Sequence, residues 1–301
     1  MPLPTTTTFS APETSAVRRT YEIGGFRVRV DSFPFHESAF LAAFCTDDRR
    51  DPELCLTVRA LPEIPAEAGI IPAPAGETVF RDGAGRRVRL RRKESGEALL
   101  YRVTETGPDA LLAELAADAA PGLGSGLILR WLELPARLLA RDALFLHASF
   151  VGLGERAILF TGPKQIGKST QAELWRRCRG ARVLNGDRAL LRHLEGRWTA
   201  CGSPYCGTSG ICVNASLPLG ALVLLEQGPE NRVEPAAPRR VMSAFLSGCS
   251  YDPGDPAAAA RVLDLAAALS REVPVLRLVC RPDEGAVRCL EEALRKEGVC
   301  V

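Results

Sequence analysis

Eight consecutive residues constrain this chain more than any others: Gly162-Pro163-Lys164-Gln165-Ile166-Gly167-Lys168-Ser169. An apolar run, Ala157-Ile158-Leu159-Phe160, precedes them, and Lys168 to Arg179 reads as a helix. Strand, glycine-bearing turn and helix, with Gly-Lys-Ser at the junction, make the pattern of a loop that cradles phosphates. Glycines let successive backbone N–H groups converge on phosphate oxygens, and the N-terminus of the new helix adds partial positive charge. Lys168 is then expected to reach the outer phosphates of a nucleoside triphosphate and Ser169 to ligate Mg²⁺. Lys164 adds charge inside the loop, and Pro163, Gln165, Ile166, Gly167 and Thr170 complete the cradle. Two of the chain's four lysines fall in these eight residues, and a compact ammonium suits a phosphate.

Composition narrows the remaining classes. The 301 residues are 46% apolar and 25% charged, enough to bury one large or two ordinary cores without staples. A formal net charge of +2 gives no electrostatic case for a nucleic acid or a membrane surface. No apolar run is long enough to span a bilayer. The Thr- and Pro-rich start, Met1 to Val17, lacks the basic and apolar regions of a secretory signal. A cytoplasmic protein with ten reduced cysteines is the expectation, because no Cys-x-x-Cys pair occurs and Cys201, Cys206 and Cys212 fit no zinc spacing.

Read along its length, the chain divides into a flexible tail, 1–19, a β-rich N-terminal domain, 20–125, and an α/β domain, 126–301. Phe26 to Val30 alternates apolar and basic residues as a half-exposed strand does. Leu54 to Leu61 is a second strand, and Thr78 to Phe80 with Arg87 to Arg91 form a hairpin around Asp82-Gly83-Ala84-Gly85. Ala98 to Thr104 is another strand, and Pro108 to Ala120 reads as a helix. The arginines at 86, 87, 89, 91 and 92 read as a solvated strand face. The break at Pro121 to Gly126 marks the domain boundary. One apolar helix, Leu127 to Ala140, follows. Strands then alternate with helices: Leu144 to Val151, Arg156 to Thr161, the helix from Lys168, Ala181 to Leu184, a hairpin about Glu195-Gly196, Ala221 to Leu225, helices Val241 to Leu246 and Ala257 to Leu269, Val275 to Val279, and a closing helix Glu284 to Lys296.

A phosphate loop needs an acidic partner for its metal. Asp187 ends the strand that follows the loop helix, where ligands gather in open α/β sheets. The 19 residues from Lys168 to Asp187 leave room for one helix and one strand. His147 lies on the strand before the loop strand, in Phe145-Leu146-His147-Ala148-Ser149. The strands carrying His147 and Asp187 are expected close to the loop strand in one sheet, with both side chains converging near Lys168. A second Gly/Ser-rich loop, Cys201 to Gly210, reads either as a phosphate or substrate contact or as an ordered surface loop. Leu246-Ser247-Gly248-Cys249 is followed by no Asp-Glu-ending apolar strand, and no Asn-Lys-x-Asp occurs. The transport ATPases and regulatory GTPases are set aside on those grounds.

His147, the loop 15 residues later and an aspartate strand directly after one helix resemble the C-terminal kinase domain of HPr kinase/phosphorylase, whose core is shared with ATP-dependent phosphoenolpyruvate carboxykinases. The resemblance covers roughly residues 143 to 226. It implies an α/β fold with a P-loop kinase core of that type and a smaller β-rich N-terminal region. It further implies ATP and Mg²⁺ as cofactors, a small protein or peptide as phosphoryl acceptor, and Asp187, His147 and Lys168 as catalytic residues, with Ser169 and Asp187 on the metal. A homo-oligomer is compatible with it; nucleic acid and membrane are not expected partners. The N-terminal part is closer to smaller kinase-like proteins encoded beside modified-peptide clusters. One departure matters: the family carries two adjacent aspartates at this strand end, and Gly186 stands in place of the first. Either Asp187 does both jobs, or His147 supplies the base, or the chain binds nucleotide as an accessory protein without transferring phosphate.

Overall fold

The computed structural model describes residues 17–32, 37–66, 70, 73, 76–94, 96, 98–119, 124 and 126–299. The expected tail lies outside them up to residue 16, as does the expected boundary apart from Gly124 and Gly126. The fold is mixed α/β, with two mixed sheets, and its chain contacts divide into two compact units.

The first unit takes residues 17–20, 28–32 and the described residues of 48–119. Its strands belong to a seven-stranded sheet built from β1 (Arg19–Ile23), β2 (Phe26–Asp31), β3 (Leu54–Leu61), β4 (Thr78–Arg81), β5 (Arg87–Arg92), β6 (Leu99–Gly107) and β7 (Ala110–Ala116), in the order β1-β2-β3-β7-β6-β5-β4. The helix expected from Pro108 is instead β7, paired parallel to β3 and antiparallel to β6. Its alanines and leucines favour helix in isolation. However, Leu111, Ala113 and Leu115 all bury on one pleated face, a period of two that the sheet selects over local preference. The expected solvated arginine face does not hold at Arg89, which is buried and paired with Glu77; Arg86, just before β5, pairs with Asp82, and Arg92 donates to the Gly96 carbonyl.

The second unit takes Tyr21–Arg27, Glu37–Asp47 and the described residues of 124–299. Besides the short α1 (Ala39–Ala42), it contains α2 (Gly126–Leu132) and α3 (Leu134–Leu139), then β8 (Ala143–Leu153), β9 (Arg156–Thr161), α4 (Lys168–Arg179), β10 (Arg182–Asn185), β11 (Arg188–Leu194), β12 (Arg197–Cys201) and β13 (Ser216–Gln227). β14 (Arg232–Pro235), α5 (Pro238–Gly248), α6 (Pro256–Glu272), β15 (Val275–Cys280) and α7 (Glu284–Lys296) complete it. The single helix expected over Leu127 to Ala140 is two. Glu133 takes a left-handed φ of 44° between them, and Pro135 sits in the first turn of α3, where a missing N–H costs nothing. Strand β14 was not foreseen; at four residues it is too short to show a period.

Three parallel strands, β9, β13 and β15, lie side by side, so their carboxyl ends open on the same edge. β8 runs antiparallel to β9. Helices cover both faces. Leu159, Leu222 and Leu224 pack with Phe245, Val262 and Leu269 on one side. Ile158, Phe160 and Val223 pack with Trp175, Val287 and Leu290 on the other. This explains why β9 and β13 read as unbroken apolar runs: strands buried on both faces have no polar side to alternate with. Trp175 is fully buried on α4, its ring 6.3 Å from that of Phe160 on β9. Removing it would cost about 3–5 kcal/mol, and with it the fixed angle between strand and helix on which the loop between them depends.

Candidate functional site

The site begins where β9 ends. Thr161 is held by pairing with Ala148 on β8, and its hydroxyl donates to the His147 carbonyl at 2.9 Å. Gly162 follows with φ 143°; a β-carbon there would stand 3.3 Å from both the Leu225 carbonyl and the Ile166 side chain. Gln165 and Gly167 also have positive φ, 65° and 112°. Gly167 is the N-cap of α4 and offers no side chain to the helix's free N–H groups, and a β-carbon on it would meet nothing within 4 Å. The first turn of a twelve-residue helix therefore opens onto free space with unsatisfied donors. Lys168 lies back along the loop, its ammonium donating to the Gly162 and Pro163 carbonyls at 3.0 and 2.9 Å. Burial lowers its pKa, and the charge of Asp187 opposes that shift. Ser169, Thr170 and Lys164 are exposed.

Asp187 reaches the same place by a different route. β10 and β11 both pair antiparallel with β8, on either side of an interruption at Gly186 and Asp187. Buried Asn185 shapes that interruption: its side-chain oxygen accepts from the amides of Asp187 and Arg188, both at 2.8 Å, and its amide nitrogen donates to the Ser203 carbonyl. The Asp187 carbonyl accepts from Ala148 N–H at 2.9 Å. Its carboxylate then faces His147 Nε2 at 3.3 Å and Arg188 Nε at 3.4 Å. The hydrogen bond from His147, with help from Arg188 and against partial burial, holds the Asp187 carboxyl below the usual carboxylate range. The expectation that the strands of His147 and Asp187 lie close to the loop strand in one sheet is met: β8, which carries His147, pairs with β9, and β10, which leads to Asp187, lies one strand further out, paired with β8.

The loop after β12 forms a wall against this carboxylate. Gly207 approaches Asp187 so closely that a β-carbon on it would stand 2.7 Å from the carboxyl carbon. One on Gly186 would stand 2.0 Å from the Ser209 hydroxyl. The loop is pinned by Gly186 N–H to the Ile211 carbonyl and by Gly202 N–H to the Ala215 carbonyl, at 3.2 and 2.8 Å. Burial pushes the Cys212 thiol up to about 11, with Cys206 beside it adding to the shift, and raises that of Cys201 as well. All nine cysteines among the described residues are free, and no group of three or more His, Cys, Asp and Glu among them could hold a metal.

Two cavities flank the glycine-bearing loop. One of about 400 Å³ runs from Ile166, Gly167 and Thr170 to Gln227, Cys280 and Arg281, along the carboxyl ends of β13 and β15. The other, about 190 Å³, lies on the α5 side, bounded by Gly162, Glu226, Arg240 and Arg277. Glu226 ends the apolar run of β13 next to the loop. It is paired with Arg277 at 2.6 Å and Arg240 at 2.9 Å, Arg277 chiefly depressing its pKa. A larger cavity, about 480 Å³, opens at the amino end of β15 and contains none of the residues above.

The donor set can be judged for a metal. Asp187 and Ser169 offer hard oxygens and too few of them to cage an ion alone. That fits Mg²⁺, which keeps several waters and shares its sphere with phosphate oxygens. From sequence, Asn185 and Arg188 carry no expected role, and Gly207 enters only as part of the second Gly/Ser-rich loop. The Asn-Gly pair signals a turn but not that its side chain would cap two amides, and nothing local announces the closeness of Gly207 to Asp187.

No protein-family model matches the sequence, and no curated protein matches it. Among solved structures, the chain is similar to the Hpr(Ser) kinase/phosphatase from Coxiella burnetii, with 16% identity and a TM-score of 0.29 over 51% of this chain and 93% of that one. A likeness of that extent says nothing of what this chain binds. Among the described residues, no helix is long and apolar enough to cross a membrane.

Proposed function

We propose that the second unit binds a nucleoside triphosphate, ATP with Mg²⁺, and transfers its γ-phosphoryl group to a serine hydroxyl on a small protein or peptide, in the manner of HPr serine kinases. One observation carries the reading: Lys168, the first residue of a helix with no side-chain cap, feels the charge of a carboxylate, Asp187, that is itself hydrogen-bonded to His147. Gly162 to Thr170 cradle the phosphates, and Lys168 leaves the loop carbonyls to neutralise them. The metal, held by Ser169 and Asp187, would neutralise charge on the transferring group. The cavity of about 400 Å³ beyond Gly167 is large enough for the nucleoside.

Phosphoryl transfer depends mainly on positioning and charge neutralisation. Asp187, with its carboxyl held low, is a weak base and a good anionic ligand; His147 keeps it oriented. General-base assistance is worth about 10²–10⁴-fold, so a weak base predicts a slow enzyme rather than an inactive one. The test is transfer from labelled ATP to serine-bearing peptides with wild type and Asp187→Asn. Mg²⁺-dependent transfer abolished by the substitution is the expected result. Tight ATP binding with no turnover would replace this reading with that of a nucleotide-binding accessory protein.

A further inference from the structure

The turn Gly207-Thr208-Ser209 packs against the Asp187 carboxylate and the Gly186 backbone beside it. Gly207 is pressed onto the carboxylate, with a φ of 54° that keeps the turn tight. The two hydroxyls that follow differ in availability. Ser209 is committed, donating to the Cys206 carbonyl at 2.6 Å and accepting from Ile211 N–H at 3.2 Å. Thr208 is exposed, and its hydroxyl has no hydrogen-bond partner among the described residues. It is one residue, about 3.8 Å along the chain, from the glycine that touches Asp187.

Resting on the phosphotransferase reading above, we propose that Thr208 is an internal phosphoryl acceptor: the chain phosphorylates its own loop. The Thr208 hydroxyl oxygen bonds to the γ-phosphorus while the bond from that phosphorus to the β–γ bridging oxygen breaks. The hydroxyl proton passes to the Asp187 carboxylate, and the nucleoside diphosphate leaves. Atoms and charge balance without any further reactant. The acceptor is a threonine one residue along from the glycine that crowds the carboxylate, and the same loop supplies both wall and substrate.

The experiment incubates the full chain with γ-labelled ATP and Mg²⁺, without added acceptor, and maps the label by mass spectrometry. The expected result is label on Thr208 approaching one phosphate per chain, at a first-order rate unchanged by diluting the protein. Thr208→Val, nearly isosteric and exposed, should lose at least tenfold of the label while ATP affinity by calorimetry stays within twofold. Ser209→Ala should keep the label. A chain that binds ATP, whether or not it phosphorylates an added peptide, yet leaves Thr208 unlabelled overturns the proposal alone. Label that survives Thr208→Val does the same. A wild type with no measurable ATP binding removes the phosphotransferase reading itself.

Discussion

Two glycine-bearing loops border Asp187, and they are glycine-rich for opposite reasons. In the first, Gly162 to Ser169, the glycines answer to backbone angle: Gly167 has a φ of 112° and nothing within 4 Å of where a side chain would begin. In the second, Cys201 to Gly210, two of the three glycines, Gly202 and Gly207, also answer to crowding. A β-carbon on Gly202 would fall 1.8 Å from the Val213 carbonyl, and those on Gly186 and Gly207 would strike Ser209 and Asp187. One loop is bent around empty space and the other is pressed onto its own chain. The first leaves space beside its backbone, and the second spends its small residues on self-contact. The two are indistinguishable by composition, which is why a phosphate or substrate contact for the second loop and an ordered surface loop read equally well from sequence.

The contrast is most exposed to failure at Lys168. Lys168→Ala should lower ATP affinity by about 10- to 150-fold, the worth of charged hydrogen bonds of about 1.5–3 kcal/mol, with the melting curve little changed. Unaltered affinity by calorimetry in a folded variant would mean that the open space at the first loop is not a phosphate cradle.

Gly186→Asp probes the crowding of the second loop. Its side chain collides with Ser209, so it should destabilise the protein by about 1–3 kcal/mol, as overpacking does. Ser209→Gly added to it should recover part of that loss. Denaturation midpoints that show no penalty for the single variant, or no rescue by the double, would show that the loop yields freely.

Gly207→Ala and Gly210→Ala sharpen the same point. Both have positive φ, 54° and 67°, but only Gly207 has a neighbour in the way. Each should lose about 1 kcal/mol to backbone strain, and Gly207→Ala more than that. Equal losses in urea titrations would remove the close approach to Asp187 as a structural constraint.

The smallest effect concerns the frame behind the first loop. Arg179, the last residue of α4, binds Glu291 on α7 at 2.7 Å and holds its carboxyl below the ordinary glutamate value. A depressed carboxylate stabilises the fold above its unfolded pKa, near 4.3, and loses that contribution as pH falls through the depressed value. Glu291→Gln should therefore cost up to about 1 kcal/mol at neutral pH, with the difference from wild type vanishing in strong acid. A difference that persists at low pH would point to packing rather than charge.

Sequence alone determined much of the second unit. The alternation of apolar strands with amphipathic helices, the bounds of α4, the hairpin of β11 and β12, and the order of loop, helix and Asp187 strand were all legible. Each rests on a periodic pattern or a glycine junction within a few residues of itself. Tertiary structure decided what lies between segments. It made β7 a strand by giving it a neighbour on each edge, and it broke α2 from α3 at Glu133. It also brought Ser209 and Gly207 against Gly186 and Asp187 across some twenty residues of chain. Those outcomes depend on which surfaces meet, and a contact between distant residues leaves no period in either segment from which it could be read.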